Sequence, residues 1–255
     1  MRELVVYGLG ELGQLYGAAA LRAGLRVTPI TRTSDPRAVL HALAPDVPIL
    51  VAVGEAALDP VLESIPSARR DAVILLQNEL FPPAWRRHGV TPTVFVPWLL
   101  KKRGTALLVA RPTPVYGPHA ALVRTLHEVL GLPATTLDTE PQLHQALVEK
   151  YAFILAINAL GVLRDRTLAL WLQEDPVRVQ ALASEAAALG AALCESAIDR
   201  ARAAVVVEEG MRALGTMSAR GRTASERLAR ALAHAQRLGI ATPELARAAR
   251  EAGLS

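Results

Sequence analysis

Leu4-Val5-Val6-Tyr7-Gly8-Leu9-Gly10-Glu11-Leu12-Gly13 is the stretch on which the fold turns: an apolar run meets three glycines and passes straight into helix-like sequence. The glycines have GxGxxG spacing, which alone is a weak signal. Here the motif follows a strand-like run, opens a helical segment over 11–23, and is followed by a second strand-like run over 26–30. That context is what a dinucleotide-binding fingerprint requires. Gly8 then permits the tight turn, Gly10 lets the backbone approach a pyrophosphate, and Gly13 lets helix and strand pack closely. The segment Gly8, Leu9, Gly10, Glu11, Leu12 and Gly13 would offer backbone N–H groups and a positive helix end to the phosphates. The plainer alternative is a glycine-rich turn without a ligand.

Working outward, short aliphatic runs over 4–7, 26–30, 49–53, 72–76, 93–96 and 106–109 read as strands buried on both faces. Helical segments over 11–23, 36–43, 59–65 and 119–130 lie between them. This alternation predicts a Rossmann-like, mostly parallel α/β sheet covered on both sides. From about Gln142 only helical periodicity remains, interrupted near Asp175–Pro176, 215–221 and 239–243. The expected organisation is a dinucleotide-binding domain over 1–140 and an all-helical domain over 141–255. The second is expected to carry substrate and dimer contacts, with a homodimer left open.

Composition narrows the function. The 255 residues are 51% hydrophobic and 20% charged, enough for a packed core. The net charge of +4 comes from scattered arginines, and arginine-rich 220–250 is interleaved with Glu226 and Glu244 as on a solvated helix face. Aromatics are only 4%, which leaves little for base stacking, so no nucleic-acid partner is expected. No membrane partner is expected either: the most apolar run, 151–163, is too short for a bilayer span and contains Asn158. Arg2 and Glu3 lead into the first strand without a signal-peptide pattern, and Cys194 stands alone, so a cytoplasmic location is expected. The six histidines show no metal-ligand spacing, and no metal is expected.

The end of the second strand selects the cofactor. A dinucleotide site for NAD places an acid there to accept the ribose hydroxyls; this chain has Thr31-Arg32-Thr33-Ser34, with no acid before Asp35. Arg32 can face a 2′-phosphate in a charge-assisted fork, with Thr31 beside it, which predicts NADP.

The rarest polar residues mark the remaining candidates. The chain has two asparagines, Asn78 and Asn158, and only one lysine after Lys102, namely Lys150. Asn78 follows the fourth strand, on the edge where cofactors lie. Lys150, Ile154 and Asn158 fall on one helical stripe, because eight residues rotate by only about 80°. The rest of that helix is apolar almost all round, as in a buried helix. A buried lysine can have its pKa shifted toward proton transfer. The competing readings are a lysine that snorkels to the surface or pairs with Glu149.

At these residues the chain resembles the ketopantoate reductase (2-dehydropantoate 2-reductase) family. The resemblance spans nearly the whole chain. It includes the fingerprint with Arg32, Leu76-Gln77-Asn78, Gln145-Ala146-Leu147-Val148-Glu149-Lys150 leading to Asn158, and the late Gly239-Ile240-Ala241-Thr242-Pro243. It implies Lys150 as general acid, Asn158 as a substrate contact, and Asn78 touching both cofactor and substrate. The departures are specific. Ile154 and Glu79 stand where the family has asparagine and glycine, and Val53-Gly54-Glu55 lacks a usual lysine. The late segment Met217-Ser218-Ala219-Arg220-Gly221-Arg222-Thr223-Ala224 has no glutamate, with Thr223 nearest its expected position. That glutamate helps hold the ketopantoate hydroxyl.

The resemblance therefore implies a divergent NADPH-dependent reductase of a small 2-oxo acid or related carbonyl compound, acting in a cleft between domains. Ser218, Arg220 and Arg222 are candidates for a substrate carboxylate, and Glu226 for the missing hydroxyl contact. Two rivals share the architecture: a non-catalytic NADP-binding module acting as redox sensor or partner-binding protein, and an imine reductase of the pyrroline-carboxylate type. The Lys150–Asn158 helix disfavours the latter.

Overall fold

The structure, a computed structural model, describes residues 3–100, 108–221 and 223–254. It divides into two compact units, Met1–Leu143 and His144–Ser255. The first contains β1 (Glu3–Tyr7), α1 (Glu11–Arg22), β2 (Arg26–Ile30), α2 (Pro36–His41), β3 (Ile49–Val51) and α3 (Glu55–Ser64). A 3-10 turn over Ser67–Ala72 leads into β4 (Val73–Leu75), α4 (Pro82–Arg86), β5 (Thr93–Phe95), β6 (Leu99–Leu100) and β7 (Leu108–Val109). β8 (Thr113–Tyr116), α5 (Ala120–Leu130) and β9 (Ala134–Thr136) follow.

The main sheet has the order β2-β1-β3-β4-β5-β8-β9. β1 to β5 are parallel, β8 runs antiparallel to β5, and β9 is parallel to β8. Alternate side chains of the inner strands explain why the sheet must be covered on both faces. Leu4, Val6, Leu50 and Ile74 enter one cluster with Tyr16, Ala19, Ala20, Val123 and Leu126 of the two helices on that side. Val5, Ile49, Val51, Val73 and Leu75 point the other way and are equally buried. Inside the cluster, the Tyr16 hydroxyl lies 3.3 Å from His127 Nε2, while His127 Nδ1 lies 2.9 Å from the Val123 carbonyl. A carbonyl only accepts, so Nδ1 carries the proton and Nε2 accepts from tyrosine. Burial keeps this imidazole neutral by lowering its pKa.

The second unit is helical: α6 (Glu140–Leu163, which opens just before the boundary), α7 (Leu168–Glu174), α8 (Pro176–Cys194), α9 (Arg200–Ala213), α10 (Ala224–Leu238) and α11 (Pro243–Glu251). α6 is its core. Leu147, Val148, Tyr151, Ala152, Leu155, Ala156, Ala159 and Leu160 leave it no solvent face to speak of. Two glycines let neighbours reach its backbone. A Cβ at Gly190 of α8 would lie 2.9 Å from the Tyr151 ring, and one at Gly161 would lie 2.3 Å from the Ala219 carbonyl. The 215–221 segment is laced to the start of α7 by Leu168 N–H to Met217 O (2.8 Å) and Ala219 N–H to Arg166 O (2.9 Å). Glu185 of α8 accepts from the Glu244 and Leu245 N–H groups, capping α11.

Four sequence expectations are corrected. The run 106–109 is not a buried strand of the main sheet. Its described part, β7, pairs antiparallel with β6 in a separate ribbon, with Leu108 and Val109 41% and 37% exposed; positions 106 and 107 lie outside the described residues. β8 and β9 were not expected, because β8 contains Pro114 and β9 has mostly exposed threonines. The helical region also breaks after Cys194, where Glu195 takes φ 54°, without a glycine or proline to mark it. Finally, α6 and α8 are long and apolar enough to cross a bilayer by length and composition, since α6 extends well before residue 151; 78% of the most apolar window of α6 is buried inside the protein.

Candidate active site

In the first unit the candidate site is made mainly of backbone. The chain runs from β1 to β2 on one side and returns to β3 on the other, so the carboxyl ends of β1 and β3 form a topological switch point. Ligands of open α/β sheets bind in the crevice there. The glycine loop occupies it. Gly8 has φ +94°, its N–H is held by Ile30 O at 2.9 Å, and a Cβ would sit 2.7 Å from Ala52 O at the end of β3. A Cβ at Gly13 would lie 1.9 Å from Gly8 O. Gly8 and Gly13 are thus required by the protein itself.

Gly10 is different. It precedes α1, has no side chain with which to cap it, and a Cβ there would meet nothing within 4 Å. Packing gives no reason for this glycine, but close approach of a phosphate to the helix N-terminus does. The residues present therefore fit a dinucleotide. Leu9 and Glu11 are exposed beside Gly10, whereas Leu12 packs against the sheet core.

At the end of β2, Thr31 N–H donates to Ser34 Oγ (3.0 Å), and the Thr31 and Thr33 hydroxyls lie 3.1 Å apart. Asp35, the first acid after the strand, accepts from Arg37 and Ala38 N–H as the cap of α2. Arg32 is exposed in this turn and makes no hydrogen bond or ion pair with the described residues.

At the end of β4 the two neighbouring amides have separate tasks. Gln77 is buried, and its Nε2 donates to Val51 O (2.7 Å) and Val53 O (3.3 Å), tying β4 to the end of β3. Asn78, the next residue, is half-buried and has no hydrogen-bond partner among the described residues. Gln77 thereby anchors the turn that presents Asn78 at the carboxyl edge of the sheet.

The second unit assembles the other candidates from side chains. Lys150 and Asn158 of α6 are 5% and 4% exposed. This overturns the snorkelling reading of Lys150, whose side chain is enclosed in the packed interior of the second unit. Its Nζ lies 5.7 Å from the centre of the Phe153 ring. Glu149 accepts from Gln145 Nε2 (3.2 Å) and lies 3.9 Å from Arg202. Burial, reinforced by the nearby Arg227 charge, brings the Lys150 pKa down from the ordinary lysine value to about 7. An ammonium so poised can release a proton near neutrality.

Arg227 is the residue that sequence reasoning missed. It lies on the buried face of α10 with Ala224, Leu228, Ala231 and Ala235, and is 6% exposed. Its Nη1 donates to Asn158 Oδ1 at 2.8 Å. A Cβ at Gly221 would come within 3.2 Å of both polar atoms of the same amide. The available signal was an arginine falling within the apolar periodicity of a helix. The residues named instead are placed otherwise: Thr223 and Glu226 are exposed, and Ser218 donates to Asp165 Oδ1 at 2.5 Å while accepting from Arg220 N–H. Arg222 lies outside the described residues.

A mostly parallel sheet with a glycine loop at its switch point, followed by an all-helical unit built on one buried helix, defines a Rossmann-like architecture of two units. Among solved structures it is the fold of the ketopantoate reductases, here at low sequence identity. A ketopantoate reductase from Ralstonia eutropha is 18% identical with a TM-score of 0.67, covering 99% of this chain and 97% of its own. The 2-dehydropantoate 2-reductase from Methylococcus capsulatus is 16% identical with a TM-score of 0.67, covering 99% and 96%. D-Mandelate dehydrogenase, solved with NADH and anilino(oxo)acetate, is 15% identical with a TM-score of 0.69, covering 98% and 97%. No protein-family model matches the sequence, and no curated protein matches it significantly.

Proposed function

We propose that the protein is an NADPH-dependent reductase of a small 2-oxo acid or related carbonyl compound. The observation that carries this reading is the buried Lys150, with its pKa near 7, one stripe from a buried Asn158 on the core helix of the second unit. The glycine loop, with Gly10 left open, and the exposed Arg32 support NADPH on the first unit. The fold shared with 2-oxo-acid enzymes is compatible with both.

NADPH, when bound, supplies a hydride to the carbonyl carbon. The work of the protein is then to hold the carbonyl and deliver a proton. Lys150 Nζ donates its proton to the substrate oxygen, and the neutral amine left behind is reprotonated from solvent. Asn158 orients the substrate, and Asn78, with no partner of its own among the described residues, contacts cofactor and substrate. Lys150, Asn158 and Asn78 are the catalytic set; Gly8, Leu9, Gly10, Glu11, Leu12, Gly13, Thr31, Arg32 and Asn78 form the cofactor set.

The substrate is expected to differ from ketopantoate. A site that discriminates by a substrate hydroxyl needs a buried acceptor for it. Thr223 and Glu226 are both exposed, and the buried polar residue of that helix turn is the donor Arg227. An NADPH-oxidation panel of ketopantoate, its hydroxyl-free analogue 2-oxoisovalerate and a pyrroline carboxylate tests the proposal. The expected result is comparable kcat/KM for the two oxo acids and little turnover of the imine. Strong preference for ketopantoate would overturn the substrate reading. No turnover of any of them would favour a non-catalytic NADP-binding module.

A further inference from the structure

The main sheet of the first unit has a second edge, where β1 to β5 begin, and a cavity opens there. Phe95 and Val115 enter the cluster under α1 and α5. Side chains alternate along a strand, so Val94 and Tyr116, which pair across β5 and β8, face the other side of the sheet. On that side α4 has only five residues and ends at Arg86. Between it and the first turn of α6 lies a cavity of about 560 Å³. Its lining comes from residues 85–143, all within the first unit. Pro92 precedes β5, Pro118 follows the antiparallel β8, and Leu137 follows β9. The cavity therefore sits at the amino ends of the parallel strands, at the edge opposite the glycine loop and Asn78.

Interiors are close-packed, and a space of this size is that of a small-molecule site rather than of a packing fault. Val90, Val94 and Leu143, all buried, make its apolar lining. Two aromatic residues of the lining carry polar atoms that the protein leaves unsatisfied. Trp85 is only 4% exposed, yet its indole N–H has no hydrogen-bond partner among the described residues. It is not sealed off either, unlike the N–H of Trp171, which is enclosed and without a partner. The hydroxyl of the half-buried Tyr116 also has no partner among the described residues. The Thr91 hydroxyl, by contrast, donates to Asp71. A buried indole N–H ordinarily finds an acceptor, and here the acceptor has to come from the cavity.

Charge decides the class of ligand. The charged residues of the lining, Arg86 and Glu140, are joined to each other at 2.6 Å, each about half exposed. An anion entering beside them meets the carboxylate, and a cation meets the guanidinium, so neither finds a net opposite charge. An uncharged body meets no such opposition, and the rings of Trp85 and Tyr116 offer flat faces to a flat one. We propose that this cavity is a second ligand site, for an uncharged, flat ring compound whose carbonyl oxygen accepts from the Trp85 N–H and the Tyr116 hydroxyl. A carbonyl suits because it only accepts and has two lone pairs. The site is independent of the reductase reading, which concerns the opposite edge of the sheet and the second unit.

The test uses coumarin, an uncharged fused-ring lactone with one carbonyl, as the probe, and measures its binding to the full chain by equilibrium dialysis. Coumarin-3-carboxylate and 3-(aminomethyl)coumarin carry the same rings with a negative and a positive charge. Coumarin is expected to bind saturably with a Kd below about 1 mM. Each charged analogue should bind about tenfold more weakly. Trp85→Phe keeps an aromatic wall and removes the N–H, and should weaken coumarin by about fivefold. Tyr116→Phe should do the same to a smaller degree. Leu137→Trp puts a larger side chain into the lining and should reduce binding by about tenfold or more, with the denaturant melt unchanged. Saturating NADPH should leave the coumarin Kd as it is, since the two ligands take opposite edges of the sheet.

The proposal is overturned if coumarin shows no saturable binding up to that concentration, or if NADPH displaces it, which would put it in the cofactor crevice. A charged analogue that binds more tightly than coumarin overturns the uncharged class. Unchanged coumarin binding in both Trp85→Phe and Tyr116→Phe removes the two donors from any role and the site with them. If Leu137→Trp fails to fold, these two milder variants decide. None of these outcomes touches the reductase reading, because turnover of the oxo-acid panel is measured separately.

Discussion

At the glycine loop, the groups proposed to face a cofactor belong to the backbone and come from six consecutive residues. The Lys150 cluster is instead built from three side chains on two helices, with Asn158 and Arg227 sixty-nine positions apart. The first arrangement depends on what is absent, a Cβ at Gly8, Gly10 and Gly13. The second depends on what has been carried into the interior, an ammonium and a guanidinium. Backbone N–H groups and a helix end suit a polyphosphate, whose charge is spread and whose recognition tolerates sequence change. A buried ionisable side chain suits a single proton transfer, because burial sets its pKa. On the proposed function, the two units divide carrying a cofactor from doing acid–base chemistry.

The largest expected effect breaks one side of that division. Lys150→Ala should lower kcat by about 10²–10⁴ while NADPH affinity, followed by fluorescence quenching, stays unchanged. Near-normal turnover would remove Lys150 from the mechanism. The pH profile gives the sign independently. The lysine must be protonated to act as an acid, and its pKa lies at about 7. Reduction should therefore be full below pH 7 and fall about tenfold per unit above it, with the limb absent in Lys150→Ala. A profile flat to pH 9 would contradict the proton-donor role.

The contrast also explains what could be read from the sequence. The glycine loop is local: strand, turn and helix adjoin, and each glycine's role follows from its place in the motif. Lys150 and Asn158 were legible for a similar reason, being eight residues apart on one helix in a chain poor in lysine and asparagine. Arg227 was hidden because its partner is remote and arginine is common here, twenty-five times in the chain. Nothing local separates it from Arg230 or Arg237. The same physics hid parts of the fold. Thr113–Tyr116 pairs on both sides despite Pro114, because tertiary pairing outweighs the lost N–H, while Leu108–Val109 has the composition of a core strand yet lies on an exposed ribbon. Gln77 looked like part of a strand-end motif, and its clamp on β3 needs the parallel pairing of β3 and β4 to exist.

A sharper test works within the loop itself. Gly13→Ala places a Cβ against Gly8 O and should destabilise the first unit by about 2–4 kcal/mol, seen in denaturant melts. Gly10→Ala meets no protein atom and should leave the melt unchanged. It should nevertheless weaken NADPH binding by about tenfold or more, since the methyl group occupies the space through which the pyrophosphate reaches the helix end. If Gly10→Ala bound NADPH normally, the open space would have no connection with a cofactor. If Gly10→Ala unfolded the protein, the distinction between glycines kept for packing and for a ligand would collapse.

The smallest expected effect concerns Arg32, and it asks how far a side chain modifies a site built from backbone. Arg32 is exposed and has no partner among the described residues, so its removal should not alter stability. Exposed ion pairs contribute little on their own. A doubly charged 2′-phosphate facing a guanidinium fork beside the Thr31 hydroxyl is a stronger case, worth about tenfold in affinity, or roughly 1.4 kcal/mol. NADPH should thus bind at least about tenfold tighter than NADH in the wild type. Arg32→Ala should raise the NADPH Kd by about that factor and leave NADH untouched. The preference should also shrink as salt is raised, because the pair is open to screening. The D-mandelate dehydrogenase neighbour was solved with NADH, so the fold itself does not impose the 2′-phosphate. Equal affinities in the wild type, or a preference that survives Arg32→Ala, would mean that the turn after β2 recognises the cofactor through groups other than this arginine.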